Sequence, residues 1–353
     1  MKKIILLFAF LSIFAGTMFA ADATLLKRTI QITPRRFLRY WKNPKAAEPV
    51  YNTYSWVPKI NFDVLGPAPS GSKIYTEFDT PDGKPWMRID MHVNQIDDDV
   101  LEKLQSEDPD EIVLEKQAIL SEGLIPFRIK MKNGATGAET LMFSGKFKVG
   151  TYLLNQAIPE YKGKKDFFVD YDWLMAMAYV WLNPQTDAEV PPLSTSICLR
   201  GETKSDNIEA QLFFNGKQIA TNSGIGAERQ QMTSPADEPS HRWSIWEFTF
   251  SRVKGFNKSQ SASSYTDPFY LDKNPGAYEI RVMRDKQIVR TIDFSVEKDG
   301  KIVDNGYAAN AKLGGVRKIF PAKISGSLDG TINANAWQTE ALFGNPFPGF
   351  SIQ

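Results

Sequence analysis

Cysteine and histidine are almost missing from this sequence of 353 residues, which contains one cysteine and two histidines. A lone Cys198 cannot form a disulfide within the chain, so an exported domain must be held by its hydrophobic core. His92 and His241 share no metal-ligand spacing, and a zinc site needs several such ligands. We therefore expect no metal site and no cofactor. Cys198 is interpreted as a buried apolar residue of a strand, with a nucleophilic thiol as the alternative.

An excess of charge of either sign is also missing. The chain has 42 basic and 41 acidic residues, for a net charge of +1. This balance does not create the positive field that nucleic acid requires, so we expect no nucleic-acid partner. The G-x-S-x-G motif of serine hydrolases is absent, as are glycine-rich phosphate loops. No catalytic residue can be assigned, and a non-enzymatic protein is the favoured interpretation.

Long apolar runs are limited to the beginning of the chain. Lys2 and Lys3 precede a nearly unbroken apolar run over residues 4–14, and small residues follow at Ala20 and Ala21. The run is short for a bilayer span, so residues 1–23 are predicted to be a cleaved signal peptide, with a retained anchor as the alternative. The mature chain is expected to be exported to the periplasm or the medium, without an integral membrane span.

Two parts of the chain resemble each other. Residues 60–86 and 195–219 each begin with an apolar strand that ends at a glycine, Gly66 or Gly201. Each continues through a polar turn and an alternating strand to an Asp-Gly or Asn-Gly pair, at Gly83 or Gly216. These pairs predict type I′ hairpin turns.

The similarity extends downstream if an insertion is allowed. Residues 141–152 parallel 243–256, and residues 164–173 parallel 289–300. The first copy also carries an acidic segment, 95–123, whose partial apolar stripe predicts a helical insert. We interpret the chain as a tandem duplication of one β-domain.

The remaining pattern consists of short strands with Gly and Pro turns, which predicts an all-β protein of antiparallel sandwiches. Tyr278 follows Pro275 and Gly276 at the start of the last hairpin. This placement resembles the tyrosine corner of immunoglobulin-like sandwiches, whose hydroxyl bonds back to the backbone. The resemblance implies two tandem Ig-like or fibronectin-like domains, over residues 50–180 and 181–300.

The two ends differ from these domains in composition. Residues 24–49 are basic and aromatic and are predicted to be an arm, either packed as a leading strand or solvated, with a binding patch as the alternative. Residues 301–353 are rich in Gly, Ala, Asn and Pro and are predicted to form an extended tail.

Two candidate sites lie near the junction of the copies. Trp173, Tyr179 and Trp181 could line a ligand groove, because pockets favour domain interfaces. Asp170 and Asp172 form an alternative acidic site, although neighbouring carboxylates on one strand lack the separation that glycosidases need.

These features favour an exported binding or structural module of the cell envelope or extracellular space. Its expected partner is an envelope or extracellular protein, for example through β-strand addition, or a glycan. A carbohydrate-active enzyme or a carbohydrate-binding accessory protein is the alternative.

Overall fold

The computed structural model describes residues 23–325, apart from 42–49, 67, 98–100, 107–115, 155, 172–173, 183–190, 202–206, 223–226, 234–241, 257–266 and 307–315. The prediction of an all-β fold is confirmed, since the strands form two large sheets. Among the described residues, no helix is long and apolar enough to cross a membrane.

The first sheet contains eight antiparallel strands in the order β1-β2-β5-β4-β3-β6-β7-β8. Their bounds are β1 Thr24–Trp41, β2 Val50–Leu65, β3 Lys73–Asp79, β4 Pro85–Asp97, β5 Leu101–Ser106, β6 Gly123–Lys132, β7 Glu139–Leu153 and β8 Lys165–Asp170. The long strand β4 pairs with β3 through its first half and with β5 through its second half. It therefore connects two layers of one unit.

The two ends of this sheet meet at strands β1 and β8. Tyr171, directly after β8, is completely buried. Its hydroxyl donates to the carbonyl of Ile32 at 2.7 Å and accepts from the amide of Ile32 at 2.9 Å. Arg36 of β1 also pairs with the buried Asp166 of β8. The sheet is thus rolled around its core, with β1 as an integral strand.

The second sheet has the order β12-β11-β16-β17-β18-β9-β10-β14-β13, with β15 beside β14. The bounds are β9 Met177–Leu182, β10 Pro192–Arg200, β11 Ile208–Phe214, β12 Lys217–Thr221, β13 Ala227–Thr233, β14 Trp243–Lys254, β15 Phe269–Tyr270, β16 Gly276–Arg284, β17 Gln287–Val296 and β18 Lys318–Ile324. Strand β18 pairs with β17 and with β9, so this sheet is also continuous between its layers.

The two units share one strand order. In the second unit one layer is β9-β10-β14-β13 and the other is β12-β11-β16-β17-β18. The first unit has β1-β2-β5-β4 and β4-β3-β6-β7-β8. A single strand, β4, therefore takes the places that β12 and β13 occupy in the second unit.

Two hairpin turns have the geometry that Asn-Gly pairs favour. Asn215 and Gly216 have φ values of 50° and 74° between β11 and β12, as a type I′ turn requires. Asp285 and Lys286 adopt the same region, with φ values of 50° and 64°. The predicted turn at Gly83 differs. The amide of Gly83 donates to the carbonyl of Thr80, and Gly83 itself is the residue with positive φ. This is a longer connection than the type I′ turn that the sequence predicted.

The predicted helical insert at 95–123 is not found in the described residues. Its first residues end β4, and residues 101–106 form β5. Ile119 makes a backbone bridge to Trp56, and only Lys116 and Gln117 have α-helical geometry. Pairing of β5 with both β2 and β4 satisfies its backbone groups and overrides the weak helical stripe. Residues 98–100 and 107–115 lie outside the described part.

Two of the three segment matches used to infer the duplication are wrong in the structure. Residues 141–152 lie in β7 and residues 243–256 in β14, which occupy different places in the strand order. The strand residues of 164–173 form β8 and those of 289–300 lie in β17, and these two strands also differ in place. By strand order the counterparts of β7 and β8 are β17 and β18. The latter strand lies within the predicted tail.

The hydrophobic cores of the two units are in contact. Strands β9, β10, β14 and β18 direct one face to each core. Residues of this sheet in the first core are Met177, Cys198, Trp243, Ile319 and Ile324. Residues that alternate with them in the second core are Ala178, Ile197, Leu199, Trp246 and Phe320. The inner layer of the second unit is thus buried on both faces near the junction.

Candidate functional site at the junction of the two units

The face of β9, β10 and β14 that is directed toward the first unit carries polar residues beyond the apolar contact. The register places Tyr179 opposite Ser196, and Ser196 opposite Glu247. In the next row Trp181 lies opposite Ser194, and Ser194 opposite Thr249. Since directly opposed residues point to the same side of a sheet, these two rows form one surface, which we call the junction face.

Arg317 lies across the junction face. Its guanidinium carbon is 4.2 Å from the centre of the Trp181 ring, which is 3% exposed. Its Nη2 atom is 3.7 Å from Oε2 of Glu247. Arg317 directly precedes β18, so this seam strand brings the guanidinium over residues of β9 and β14. The result is a cation held between an indole face and a carboxylate.

Two serine hydroxyls lie between these groups. Ser194 and Ser196 are completely buried. The hydroxyl of Ser194 lies 3.1 Å from that of Thr249. For Oγ of Ser196, no hydrogen-bond partner is present among the described residues. A buried hydroxyl without a hydrogen-bond partner is destabilising, so it calls for an explanation, such as a ligand or an ordered water.

The chemistry of the junction face is that of a cation site. Indole binds cations through its negative ring face, and carboxylates form charge-assisted hydrogen bonds with guanidinium and ammonium groups. Burial of the surrounding residues strengthens both interactions. Arg317 is the cation that fills this arrangement here.

Two of the three residues predicted to line a groove lie on this surface. Tyr179 and Trp181 both lie on the junction face, as strand parity requires. Tyr179 is half-buried and packs against the first core, and Trp181 is nearly inaccessible beneath Arg317. Neither ring therefore presents an open face for stacking a sugar in this structure. Trp173, the third predicted residue, lies outside the described residues.

The sequence did not predict the polar partners. Glu247 stands in an alternating strand, where a charged residue is interpreted as solvent-facing. Arg317 stands in the predicted tail, where no local pattern indicates a role. Only the pairing of β18 with β9 brings it to Trp181.

The alternative acidic site has a different environment. Asp170 is 9% exposed and forms an ion pair with Lys148 at 3.2 Å across the β7–β8 pair. Its Oδ1 atom is buried without a hydrogen-bond partner in the described part of the chain. Asp172 lies outside the described residues. Within the described ranges, no group of three or more His, Cys, Asp and Glu side chains could hold a metal ion.

The interpretation of Cys198 is confirmed. It is a buried cysteine in β10 that is not part of a disulfide, and it packs in the first core. His92 lies on β4 with a half-buried side chain, and His241 lies outside the described residues.

A second polar cluster covers the outer face of the first unit. Arg128 forms a two-pronged pair with Asp79 at 2.6 and 2.7 Å. The neighbouring Tyr75 is completely buried beneath Arg88, whose guanidinium carbon is 3.6 Å from its ring centre. Burial, supported by the charge of Glu139, raises the pKa of Tyr75 to about 12. Arg128 and Asp79 neutralise each other, so we interpret this cluster as structural.

No protein-family model matches this chain, and the search of curated proteins gave no match. The function is therefore argued from the geometry of the junction face and from the strand order.

Proposed function

We propose that this chain is an exported binding module made of two tandem Ig-like sandwiches, whose junction face takes part in binding. The observation that carries the proposal is the cation held by Trp181 and Glu247 at the contact between the units. Interfaces between domains are frequent positions of binding sites.

The Ig-like assignment is supported by the strand order. Immunoglobulin-like sandwiches place strands A, B, E and D in one layer and C, F and G in the other. Assigning A to β9 gives A-B-E-D as β9-β10-β14-β13 and C′-C-F-G as β12-β11-β16-β17. The hydroxyl of Tyr278 donates to the carbonyl of Asn274 at 2.5 Å, as in a tyrosine corner.

The duplication is supported by the same order and by one shared backbone feature. The second strand of each unit is followed by a glycine with positive φ, 83° at Gly66 and 87° at Gly201. Both glycines were aligned in the sequence comparison, so this segment match agrees with the topology.

A protein partner suits the junction face better than a glycan. Sugars bind to aromatic rings through an open ring face, whereas Trp181 is covered by Arg317. Arginine and tryptophan are the residue types most often found at the energetic centre of protein interfaces. The partner is therefore proposed to be an envelope or extracellular protein.

The test compares binding by two matched variants of the purified chain. Glu247→Gln removes the carboxylate charge on the junction face, and Glu279→Gln removes one that pairs with Arg281 at 2.5 Å on the opposite layer. Both variants and the wild type are presented to envelope and extracellular proteins and to a glycan array. We expect saturable, stoichiometric protein binding that Glu247→Gln weakens about tenfold and Glu279→Gln leaves unchanged.

The same preparations are incubated with a panel of polysaccharides. Turnover of any polysaccharide would overturn the non-enzymatic function. Glycan binding without a protein partner would support the accessory-protein alternative. If the two substitutions weaken binding equally, the junction face is not part of the binding surface.

A further inference from the structure

Arg317 reaches the junction face from outside the strands that form it. It comes from the segment before β18 and reaches Glu247 on β14, two strands beyond β9. A structural pair on the same molecule, Arg128 with Asp79, has two contacts of 2.6 and 2.7 Å. The contact of Arg317 with Glu247 is longer, at 3.7 Å.

We infer that Trp181, Glu247 and Ser196 form a guanidinium-binding site that Arg317 occupies internally, and that an arginine side chain of a protein partner takes its place. This inference rests on the proposed binding function and names the chemistry of the partner at the same face.

The site suits a guanidinium group better than an ammonium group. A guanidinium is planar and weakly hydrated, so it stacks on an indole ring while its edge donates to a carboxylate. The Arg317 guanidinium carbon lies over the indole ring, 4.2 Å from its centre. The N–H groups of a guanidinium lie in a rigid fork, which allows one plane to serve a carboxylate and a hydroxyl together.

Ser196 provides the observation that Arg317 alone does not explain. Its hydroxyl is completely buried between Tyr179 and Glu247 and has no hydrogen-bond partner in the described part of the chain. Arg317 pairs with the neighbouring Glu247 without satisfying this hydroxyl. An incoming guanidinium that enters deeper along the indole would reach both acceptors.

Arg281, on the opposite layer, has contacts similar to those of Arg317 and serves as a control. Arg281 lies 4.1 Å over the ring of Phe213 and pairs with Glu279 on its own strand. Its side chain is 36% exposed, the same fraction as that of Arg317. Arg281 therefore controls for loss of a half-exposed, ring-stacked, carboxylate-paired arginine.

The position of Arg317 is consistent with its replacement by an arginine of a partner. Arg317 is partly exposed, and its neighbour Val316 is 56% exposed. Removing the internal cation is expected to open the site, because a competitor held in the same chain reduces the apparent affinity of any external ligand.

The test uses a small probe in place of the unidentified partner. Binding of N-acetyl-arginine amide and of its neutral isostere, N-acetyl-citrulline amide, is measured by calorimetry with the full chain. We expect Arg317→Ala to bind the arginine probe about tenfold more tightly than the wild type does, and to bind the citrulline probe at the wild-type level. Adding Glu247→Gln to Arg317→Ala should reverse the gain. Arg281→Ala should behave like the wild type.

Arg317→Gln serves as a second variant if Arg317→Ala lowers the unfolding midpoint. Equal binding of the two probes, or no gain in either Arg317 variant, would overturn the inference. If protein binding remains sensitive to Glu247→Gln in that case, the proposed function still stands. If the probe binds but no protein partner is retained, the site is supported and the proposed function fails.

Discussion

At the scale of single residues, Arg290 shows how the junction is held. Its side chain is completely buried, and its nitrogens donate to the carbonyls of Met175 at 3.1 Å and of Val289 at 2.7 Å. A contact of 3.4 Å reaches the carbonyl of Cys198. The segment that connects the units is thus joined to the second unit by one guanidinium.

Replacing this guanidinium should be costly. We expect Arg290→Met to lower the free energy of unfolding by about 3 kcal/mol, because buried carbonyls lose their donors. The surface change Arg281→Met should stay within about 0.5 kcal/mol. Urea unfolding of the two variants measures the difference, and equal losses would contradict this role of Arg290.

Asp293 gives a pH-dependent prediction. Although Asp293 is an exposed residue, partial desolvation raises the pKa of its carboxyl, and the facing Glu279 adds to the rise while Lys323 opposes it. The folded state therefore holds this proton more tightly than the unfolded chain does, so stability is lost as the pH rises through the folded-state pKa. Asp293→Asn should raise the free energy of unfolding at neutral pH by about 0.2 to 1 kcal/mol, the range of a cross-strand charge pair.

The gain should vanish in acid, where Asp293 is protonated in both states. Asp304 provides the opposite case, because its hydrogen bond from Lys318 lowers the pKa of its carboxyl. Asp304→Asn should lower the free energy of unfolding at neutral pH, and that loss should fade as the pH falls below the ordinary pKa of aspartate and through the lowered folded-state pKa. Thermal unfolding at neutral and acidic pH checks both signs. Stability changes of the same sign in Asp293→Asn and Asp304→Asn at neutral pH would contradict the opposite pKa shifts of the two carboxyls.

At the scale of elements, two tyrosines fix strand ends in different ways. Tyr171 bonds to both backbone groups of Ile32 and connects β8 to β1. Tyr278 bonds to one backbone group among the described residues, the carbonyl of Asn274 before β16. Burial raises the pKa of both hydroxyls, so neither ionises at neutral pH.

The two tyrosine-to-phenylalanine changes should therefore differ in cost. Tyr278→Phe removes one hydrogen bond and should cost about 1 kcal/mol. Tyr171→Phe leaves a buried amide and a buried carbonyl of Ile32 without their partner, so we expect about 2 to 3 kcal/mol. Chemical denaturation measures both values. A larger loss of unfolding free energy for Tyr278→Phe than for Tyr171→Phe would contradict a stabilising role of the contact between β1 and β8.

The strands themselves show what local patterns can predict. The sequence predicts an alternating strand before each of Gly83 and Gly216 and a last hairpin that starts near Tyr278. The structure has β3, β11 and the hairpin of β16 and β17 at these places, and each of these strands has one face in a core. β5 and β18 were missed. Their pairing is nonlocal, and the acidic composition around β5 suggested a helix while the composition around β18 suggested a tail.

At the scale of the whole molecule, the contact of the two cores should couple the units. Cys198 and Trp243 of the second sheet pack in the first core, and the residues that alternate with them pack in the second. We expect a single cooperative transition by calorimetry, because unfolding of either unit would expose this double-faced layer. Two separate transitions would contradict coupling through the junction.

In the candidate site, too, some features depend on neighbouring residues and others on the pairing of distant strands. Within β9, Tyr179 and Trp181 point to one face because residues two apart lie on the same side of a strand. Neither the cover over Trp181 nor the buried position of Ser196 has a local signal. Both depend on where β18 and β14 are placed beside β9 and β10.

The sequence by itself determined the all-β class, the turn at Asn215–Gly216, the buried Cys198 and the tyrosine at the entrance of β16, because each depends on neighbouring residues. Tertiary structure decided the strand order, the use of β4, β5 and β18, and the meeting of Arg317 with Trp181 and Glu247. These depend on backbone pairing between distant segments, where one seam strand brings a cation from residue 317 to a surface built by residues 179–249.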